Sequence, residues 1–203
     1  MSVHDDLPRH LAQAYPDTPD DLRRLRERLA TAAQAEGILD LAYRTVDSPV
    51  GPLLLAATDI GLVRVAYSRE DHDTVLQTLA DRISPRILHA PARLDAAREL
   101  EEYFAGTRQT FDVALDWRLS AGFRASVLHR LPDIGYGHTA SYATVAALAG
   151  NPKAVRAVGT ACATNPLPVV IPCHRVVRSD GSMGGYLGGV EAKRTLLTLE
   201  DVA

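Results

Sequence analysis

The sequence is poor in cysteine. Its 203 residues include only two, Cys162 and Cys173, which is too few for a disulfide framework or a cysteine-rich zinc site. The seven histidines show no spacing typical of metal ligands, so we predict no structural metal. Two free thiols are typical of a reducing compartment, and we therefore expect a cytoplasmic protein.

Long hydrophobic runs and a strong net charge are also missing. No apolar stretch is long enough to span a bilayer, and the acidic start MSVHDDLPRH is unlike a secretory signal, so no membrane partner is expected. Hydrophobic residues make up 46% and charged residues 23% of the chain, as in ordinary globular proteins.

The charge is unevenly distributed along the chain. Residues 118–203 hold 9 Lys and Arg against 5 Asp and Glu, whereas residues 1–117 hold 13 against 20, and the net charge is −3. A locally basic surface matters more for contact with phosphates than the total charge does. The asymmetry is compatible with nucleic-acid binding by the C-terminal part, although many enzymes show such asymmetry by chance.

The pattern of apolar residues predicts an α+β protein in three parts. Residues 1–38 form a helical extension, in which Thr18-Pro19 begins a helix that docks through Leu22, Leu25 and Leu29. Residues 39–118 form a small N-terminal domain with a short antiparallel sheet, helices over 71–82 and 93–105, and one more strand in QTFDVALDW. Residues 119–203 form a mostly helical C-terminal domain that begins with the helix GFRASVLHRL.

Two short helices in the C-terminal part predict a helix-turn-helix. Ser141 caps the first helix and Gly150 ends it. Asn151 caps the second helix at once, with Pro152 in its first turn. A tight turn between two such helices is typical of DNA-binding proteins and equally of plain helix packing.

The second helix of this pair has three distinct faces. We expect the core face to hold Val155, Val158 and Cys162. A shallow face that could approach another surface holds Ala154, Ala157 and Ala161, and a polar stripe holds Lys153, Arg156 and Thr160. A flat face beside basic residues fits a DNA groove, and it also fits a helix–helix contact.

In the run VVIPCHRVV, Cys173 lies at the end of a predicted strand that is bracketed by prolines. A nucleophilic cysteine needs a group that takes its proton, and His174 is adjacent. Neighbours in a strand point to opposite faces, so a bridging water or a turn would be needed. A carboxylate would then orient the histidine, and the candidates are Asp180, Glu191, Glu200 and Asp201. The alternative is a buried, inert cysteine.

From Ser141 to Glu200 the chain resembles the O6-alkylguanine-DNA alkyltransferases (methylated-DNA–protein-cysteine methyltransferases). The motifs that carry the resemblance occur in order at the family's spacings: RAVG, NP, PCHR followed by two valines, GGY, and GG…K. The segment from YRTVDSPVGPLLLAA to YFAG is similar to the family's N-terminal domain. Only residues 1–38 lie outside the pattern.

The resemblance implies roles for the residues around the cysteine. Cys173 accepts the alkyl group, His174 draws its proton through a water, and Glu200 orients His174. Asn165 ties the helix-turn-helix to the active-site segment. Tyr142 crowds the phosphate, promotes rotation of the target base and protonates the leaving guanine.

The resemblance also implies the substrate and the DNA contacts. The substrate is double-stranded DNA that carries O6-alkylguanine, and also O4-alkylthymine; the base is flipped out and its alkyl group moves irreversibly to Cys173, once per chain. No cofactor is needed, and we expect a monomer. The pocket is lined by Tyr186, by Leu187 and by the carbonyls of Cys173 and Val176. The resemblance assigns DNA contacts to Tyr142 and to Arg156, which acts as the intercalating finger. The basic residues Lys153 and Arg175 are expected on phosphates, and Ala154 and Val155 are expected beside the groove.

Three residues depart from the family pattern: Leu128 replaces a usual tryptophan, Leu187 a small residue, and Val155 a frequent alanine. Two other functions stay open beside alkyl transfer. A non-catalytic lesion-binding relative would lack Cys173, and an unrelated Cys–His hydrolase would need an oxyanion hole. If Glu200 orients His174 and His174 draws the thiol proton through a water, we expect the thiol pKa of Cys173 to lie below its reference value of about 8.5.

Overall fold

The structure is a computed structural model, and it describes residues 18–201. Seven α-helices lie in this range: α1 (Pro19–Ala35), α2 (His72–Arg82), α3 (Ala96–Phe104), α4 (Gly122–Arg130), α5 (Tyr142–Leu148), α6 (Val155–Ala163) and α7 (Val190–Asp201). Six short strands accompany them: β1 (Leu41–Val46), β2 (Leu53–Ala57), β3 (Leu62–Tyr67), β4 (Ile87–His89), β5 (Ala140–Ser141) and β6 (Val176–Val177). The predicted α+β class is confirmed.

The first helix begins where the sequence predicted, but it docks differently. The Thr18 side chain accepts a hydrogen bond from the Asp21 amide and caps α1. Only the last turns of α1 rest on the body, through Ala30 and Ala33. The predicted docking leucines are 41–56% exposed because the helix extends beyond the body: Leu22, Leu25 and Leu29. Residues 1–17 of the expected extension lie outside the described residues.

The larger sheet contains four strands in the order β3-β2-β1-β4. The pairs β1–β2 and β2–β3 are antiparallel, as predicted, whereas β4 adds a parallel partner to β1. Every residue of β2 is buried, because its alternate side chains enter two core clusters on opposite faces of the sheet.

The strand predicted in QTFDVALDW does not form. The segment makes one isolated bridge, between Leu62 and Leu115. The Leu62 amide donates to the Ala114 carbonyl at 2.8 Å, and the Asp116 amide donates to the Leu62 carbonyl at 2.9 Å. Gly61 makes this approach possible, since a β-carbon there would collide with the Ala114 carbonyl.

One hydrophobic core extends through both the N-terminal part (residues 18–117) and the C-terminal part (residues 118–201). It joins side chains of the sheet, α3, α4, α6 and α7, including Leu55, Leu100, Leu128, Val158 and Leu196. Leu128 is fully buried in this core. The domain division near Leu119 stays a prediction, since the two parts share these contacts.

The two helices of the predicted helix-turn-helix form, but the second begins later than expected. Ser141 Oγ accepts from the Thr144 amide at 3.0 Å and caps α5, and Gly150 follows the helix with φ of +83°. Asn151 does not cap α6. Its carbonyl accepts from the Ala154 amide at 2.9 Å in a separate turn, and α6 starts at Val155.

The faces of α6 are partly as predicted. Val158 and Cys162 are buried, but Val155, expected in the core, is 38% exposed because it opens the helix beyond the core. Ala161, expected on the shallow face, is fully buried beside Val158. Within residues 18–201, no helix is both long and apolar enough to cross a membrane.

Candidate active site

Cys173 lies in a turn rather than in the predicted strand. Cys173–Arg175 form one turn of 3₁₀ helix after Pro172, and the following strand β6 pairs in parallel with β5. The turn removes the alternation that would place Cys173 and His174 on opposite faces. Both side chains are buried, Cys173 with 2% and His174 with none of its surface exposed.

Asn165 connects the end of α6 to Cys173. Its Nδ2 donates to Cys173 Sγ at 3.1 Å and to the Ile171 carbonyl at 2.9 Å. Its Oδ1 accepts from the Leu167 amide at 3.0 Å. The buried amide therefore fixes the loop between α6 and the active-site turn, and it places a donor on the sulfur.

Glu200 is the carboxylate that meets the histidine. His174 Nε2 and Glu200 Oε1 are 2.9 Å apart, and both side chains are buried. Two of the other candidates lie on the surface, where Asp180 bonds to Ser182 and Glu191 pairs with Arg194. The side chain of Asp201 lies outside the described part of the chain.

The electrostatics of this pair define its protonation. Burial opposes ionisation of Glu200, but hydrogen bonds from His174 and Arg175 lower its pKa to about 2. Burial lowers the pKa of His174, against the effect of Glu200. The pair is therefore a neutral imidazole that donates from Nε2 to a carboxylate. Nδ1 then carries a lone pair, and it has no hydrogen-bond partner among residues 18–201.

The thiol of Cys173 differs from the prediction. Burial raises its pKa to about 11, although the Asn165 hydrogen bond and the charge of Lys193 act in the opposite direction. The expected pKa below about 8.5 is thus wrong for the isolated protein, because desolvation of the thiolate outweighs these two favourable contacts. The resting site holds a neutral thiol beside a neutral histidine.

Lys193 was not assigned a role from the sequence. It is fully buried on α7, and its Nζ donates to the Val176 carbonyl at 2.5 Å. Burial lowers its pKa, and the nearby thiols of Cys173 and Cys162 act against this effect. It lies three residues before the buried Leu196 on α7, and this helical spacing is the sequence signal that could have predicted its burial.

Arg175 does not face solvent, so its predicted DNA contact is contradicted. It is 6% exposed, and its Nε and Nη2 donate to the Glu200 carboxylate at 2.9–3.2 Å. Its Nη1 donates to the Ile134 carbonyl at 2.6 Å. The buried carboxylate of α7 holds the guanidinium inside, where it cannot reach a phosphate.

Tyr142 and the predicted pocket residues are held by contacts with neighbouring parts of the chain. Tyr142 opens α5, and Gly184 packs so closely on it that a β-carbon would lie 2.5 Å from the Tyr142 hydroxyl. The Tyr186 ring lies edge-on to the His174 imidazole, with centroids 6.4 Å apart. Leu187 is partly buried against the core. The buried Val176 offers the carbonyl that already accepts from Lys193.

The remaining predicted DNA contacts share one exposed surface. Lys153 lies in the turn between α5 and α6, and Arg156 lies in the first turn of α6; both are exposed. Ala154 and Val155 lie between them with part of their surface accessible. Neither basic side chain forms an ion pair within the described residues. The described residues also hold no cluster of three or more potential metal ligands.

Comparison with known proteins assigns the chain to a family. The family described as 6-O-methylguanine DNA methyltransferase matches with its DNA binding domain at residues 122–202 and its ribonuclease-like domain at residues 41–117. A methylated-DNA–protein-cysteine methyltransferase of Methanosarcina barkeri is 38% identical over 159 residues, which cover 78% of this chain and 96% of the relative. The chain belongs to the methylated-DNA–protein-cysteine methyltransferase family.

Further similarities support this membership. The methylated-DNA–protein-cysteine methyltransferase of Mycolicibacterium paratuberculosis is 41% identical over 160 residues, which cover 79% of this chain and 92% of the relative. The crystal structure of a Mycobacterium tuberculosis protein in complex with DNA aligns with a TM-score of 0.68 and 38% identity, over 79% of this chain and 93% of that chain. Family membership confirms the resemblance of the sequence and argues against an unrelated Cys–His hydrolase.

Proposed function

We propose that this methyltransferase-family member repairs O6-alkylguanine, and also O4-alkylthymine, in double-stranded DNA. It flips the damaged base and transfers the alkyl group irreversibly to Cys173, once per chain, as a monomer that needs no cofactor. The single observation that carries the proposal is a pair of buried hydrogen bonds on adjacent residues, in which Asn165 contacts the Cys173 sulfur and Glu200 contacts His174.

Proton transfer is what the His174–Glu200 pair contributes. The thiol proton passes to His174 Nδ1 through a bridging water, and the imidazolium that forms is stabilised by Glu200, whose low pKa keeps it ionised. This route gives a thiolate in a site where a free thiolate is disfavoured by burial. Lys193 and the Asn165 amide stabilise the charge on sulfur while it exists.

The transfer itself is a displacement at carbon. The sulfur of Cys173 forms a bond to the alkyl carbon, the bond from that carbon to the base oxygen breaks, and the electron pair leaves with the base. Tyr142 supplies the proton to the departing guanine. A thioether is not readily hydrolysed, so the product is stable and each chain acts once.

Base flipping follows from the burial of the acceptor. Only 2% of Cys173 is exposed, and the O6 position of guanine lies within the base stack of a duplex. The base must therefore leave the stack and enter the protein, which costs a few kcal/mol. Arg156 offsets this cost by filling the space that the base leaves, with Ala154 and Val155 against the groove and Lys153 on a phosphate.

Mass spectrometry tests the proposal. Wild-type protein is incubated with a duplex containing one O6-methylguanine, and the intact mass should rise by one methyl group per chain. Peptide mapping should place that group on Cys173 and none on Cys162, which is buried on α6 and whose pKa is raised by burial. Cys173→Ser should show no gain in mass while it still binds the alkylated duplex.

Two outcomes would overturn the proposal. Removal of more than one alkyl group per chain would indicate a hydrolase with turnover. Binding of the alkylated duplex without a mass increase in the wild type would indicate a lesion-binding protein that does no chemistry.

A further inference from the structure

The N-terminal part contributes a side chain to the neighbourhood of the acceptor cysteine. Tyr67 ends β3 and is only 2% exposed. Its hydroxyl lies 2.8 Å from the hydroxyl of Tyr186, which is 119 residues further along the chain. The two rings meet edge to face, with centroids 5.8 Å apart. A buried phenol is thus hydrogen-bonded to a residue assigned to the alkyl pocket.

Tyr186 lies between Tyr67 and the proton acceptor. The Tyr186 ring packs against the Tyr67 ring and also against the His174 imidazole. The centroids of Tyr186 and His174 lie 6.4 Å apart, and the interplanar angle is 87°. Movement of the Tyr186 ring therefore changes both the width of the pocket and the packing of His174. The hydroxyl pair restricts that movement, because a buried hydroxyl resists losing its partner.

The segment that carries Tyr186 is held by the same part of the chain. A β-carbon at Gly188 would lie 2.6 Å from Tyr67 Cζ, so the backbone rests directly on the Tyr67 ring. Gly189 has φ of +93°, and a β-carbon there would lie 2.7 Å from Arg69 Nη1. The segment from Tyr186 to Gly189 is therefore seated on residues from the end of β3.

We propose that Tyr67 is a positioning residue that restricts the alkyl pocket by holding Tyr186 in place. The N-terminal part then helps to decide how large an alkyl group the site accepts. This inference rests on the proposed function, because it assigns Tyr186 to the pocket of the alkyl group.

Paired free-base substrates test the inference. Single-turnover rate constants are measured with O6-methylguanine and O6-benzylguanine for wild type, Tyr67→Phe, Tyr186→Phe and the double variant. We expect the benzyl-to-methyl ratio to rise at least threefold in Tyr67→Phe, because the freed Tyr186 ring can move away from the bulky group. Both single variants break the same hydrogen bond, so the double variant should change the ratio no further.

Tyr43→Phe is the matched control. Tyr43 lies on β1 of the same sheet, where it packs against a different core cluster and its ring contacts His89. The benzyl-to-methyl ratio of Tyr43→Phe should equal that of wild type. A general loss of stability would slow both substrates together and leave the ratio unchanged.

The outcomes separate this inference from the proposed function. If wild type alkylates Cys173 but the ratio in Tyr67→Phe rises less than threefold or falls, Tyr67 does not restrict the pocket. Additive effects in the double variant would also overturn the inference, since the two hydroxyls would then act separately. A wild-type protein that accepts no alkyl group would overturn the proposed function and the inference together.

Discussion

The Tyr103 hydroxyl donates a hydrogen bond of 2.7 Å to Glu200 Oε1, the same oxygen that His174 Nε2 contacts at 2.9 Å. Tyr103 is fully buried on α3 of the N-terminal part, whereas Glu200 lies near the end of α7. Tyr103 and Arg175 both donate hydrogen bonds to Glu200, and a buried carboxylate requires such donors. The carboxylate that contacts His174 is therefore held by residues from both parts of the chain.

Replacement of Tyr103 by Phe should lower the free energy of unfolding by about 2 kcal/mol, because a hydrogen bond to a charged group is lost at a buried site. Urea denaturation at pH 7 measures the change. Tyr43→Phe is the control, since no hydrogen bond of its hydroxyl is found within residues 18–201, and it should shift the value by less than about 0.5 kcal/mol. Equal values for the two variants would show that the bond to Glu200 contributes nothing to stability.

Removal of His174 should change the pH dependence of alkyl transfer to free base. In wild type, the neutral histidine accepts the proton, so the single-turnover rate should be nearly flat from pH 7 to 10. In His174→Ala, only solvent can ionise a thiol whose pKa is about 11. Its rate should be about 1000-fold lower near pH 7.5, and the deficit should shrink about tenfold per pH unit up to pH 10.

The exposed His138 provides the control for this profile, and His138→Ala should overlay wild type. A constant deficit of His174→Ala at all pH values would show that the histidine holds the structure of the site and does not take the proton.

Ionisation of Glu200 should make the free energy of unfolding depend on pH in the acid range. Because its pKa is lowered from 4.5 to about 2 in the folded protein, its contribution is complete above about pH 5 and is lost as the pH falls toward 2. The shift corresponds to about 3 kcal/mol. Glu200→Gln should cost about 3–5 kcal/mol at pH 7, since it leaves Arg175 unpaired, and this cost should shrink toward pH 2.

Urea denaturation of both proteins between pH 7 and pH 2 measures this convergence. The exposed pair of Glu191 and Arg194 gives the control: Glu191→Gln should cost less than about 1 kcal/mol at every pH. A cost for Glu200→Gln that stays constant with pH would show that the lowered pKa is not the source of its contribution.

Local signals predicted most of the secondary structure. The caps at Thr18 and Ser141 and the glycine stop at Gly150 depend on neighbouring residues only, and each was found where the sequence indicated. Apolar spacing indicated the exposed and buried sides of a helix, but not how far a helix extends. The leucines of α1 come before the docked alanines in the helix, and they lie beyond the body.

Properties set by distant contacts could not be predicted from the sequence. Arg175 was expected on DNA because a basic residue is usually exposed, and it is buried because Glu200, 25 residues away, meets it. The thiol pKa of Cys173 depends on burial, which no neighbouring residue reveals. The contacts of Tyr67 and Tyr103 with the site required the N-terminal part to pack on it.

The salt dependence of DNA binding should distinguish Lys153 from Arg175. Lys153 is exposed beside α6, so Lys153→Ala should reduce the slope of log affinity against log salt by about 1. Arg175 is enclosed by Glu200 and the Ile134 carbonyl, so Arg175→Gln should leave the slope unchanged while it lowers stability. Binding isotherms at several salt concentrations measure both slopes. A reduced slope for Arg175→Gln would return Arg175 to the DNA surface.

Arg156 should matter for duplex DNA and not for the chemistry. Its side chain is exposed in the first turn of α6, whereas His174 and Glu200 are buried. Arg156→Ala should therefore slow alkyl transfer from a duplex by about 10-fold or more, because holding the base outside the stack costs a few kcal/mol. Transfer from the free base should change by less than about twofold, since that substrate needs no flipping. Arg98→Ala, which removes an exposed arginine of the N-terminal part, is the control and should alter neither rate. Equal losses on duplex and free base would place Arg156 in folding or in the chemical step, and would remove it from the DNA groove.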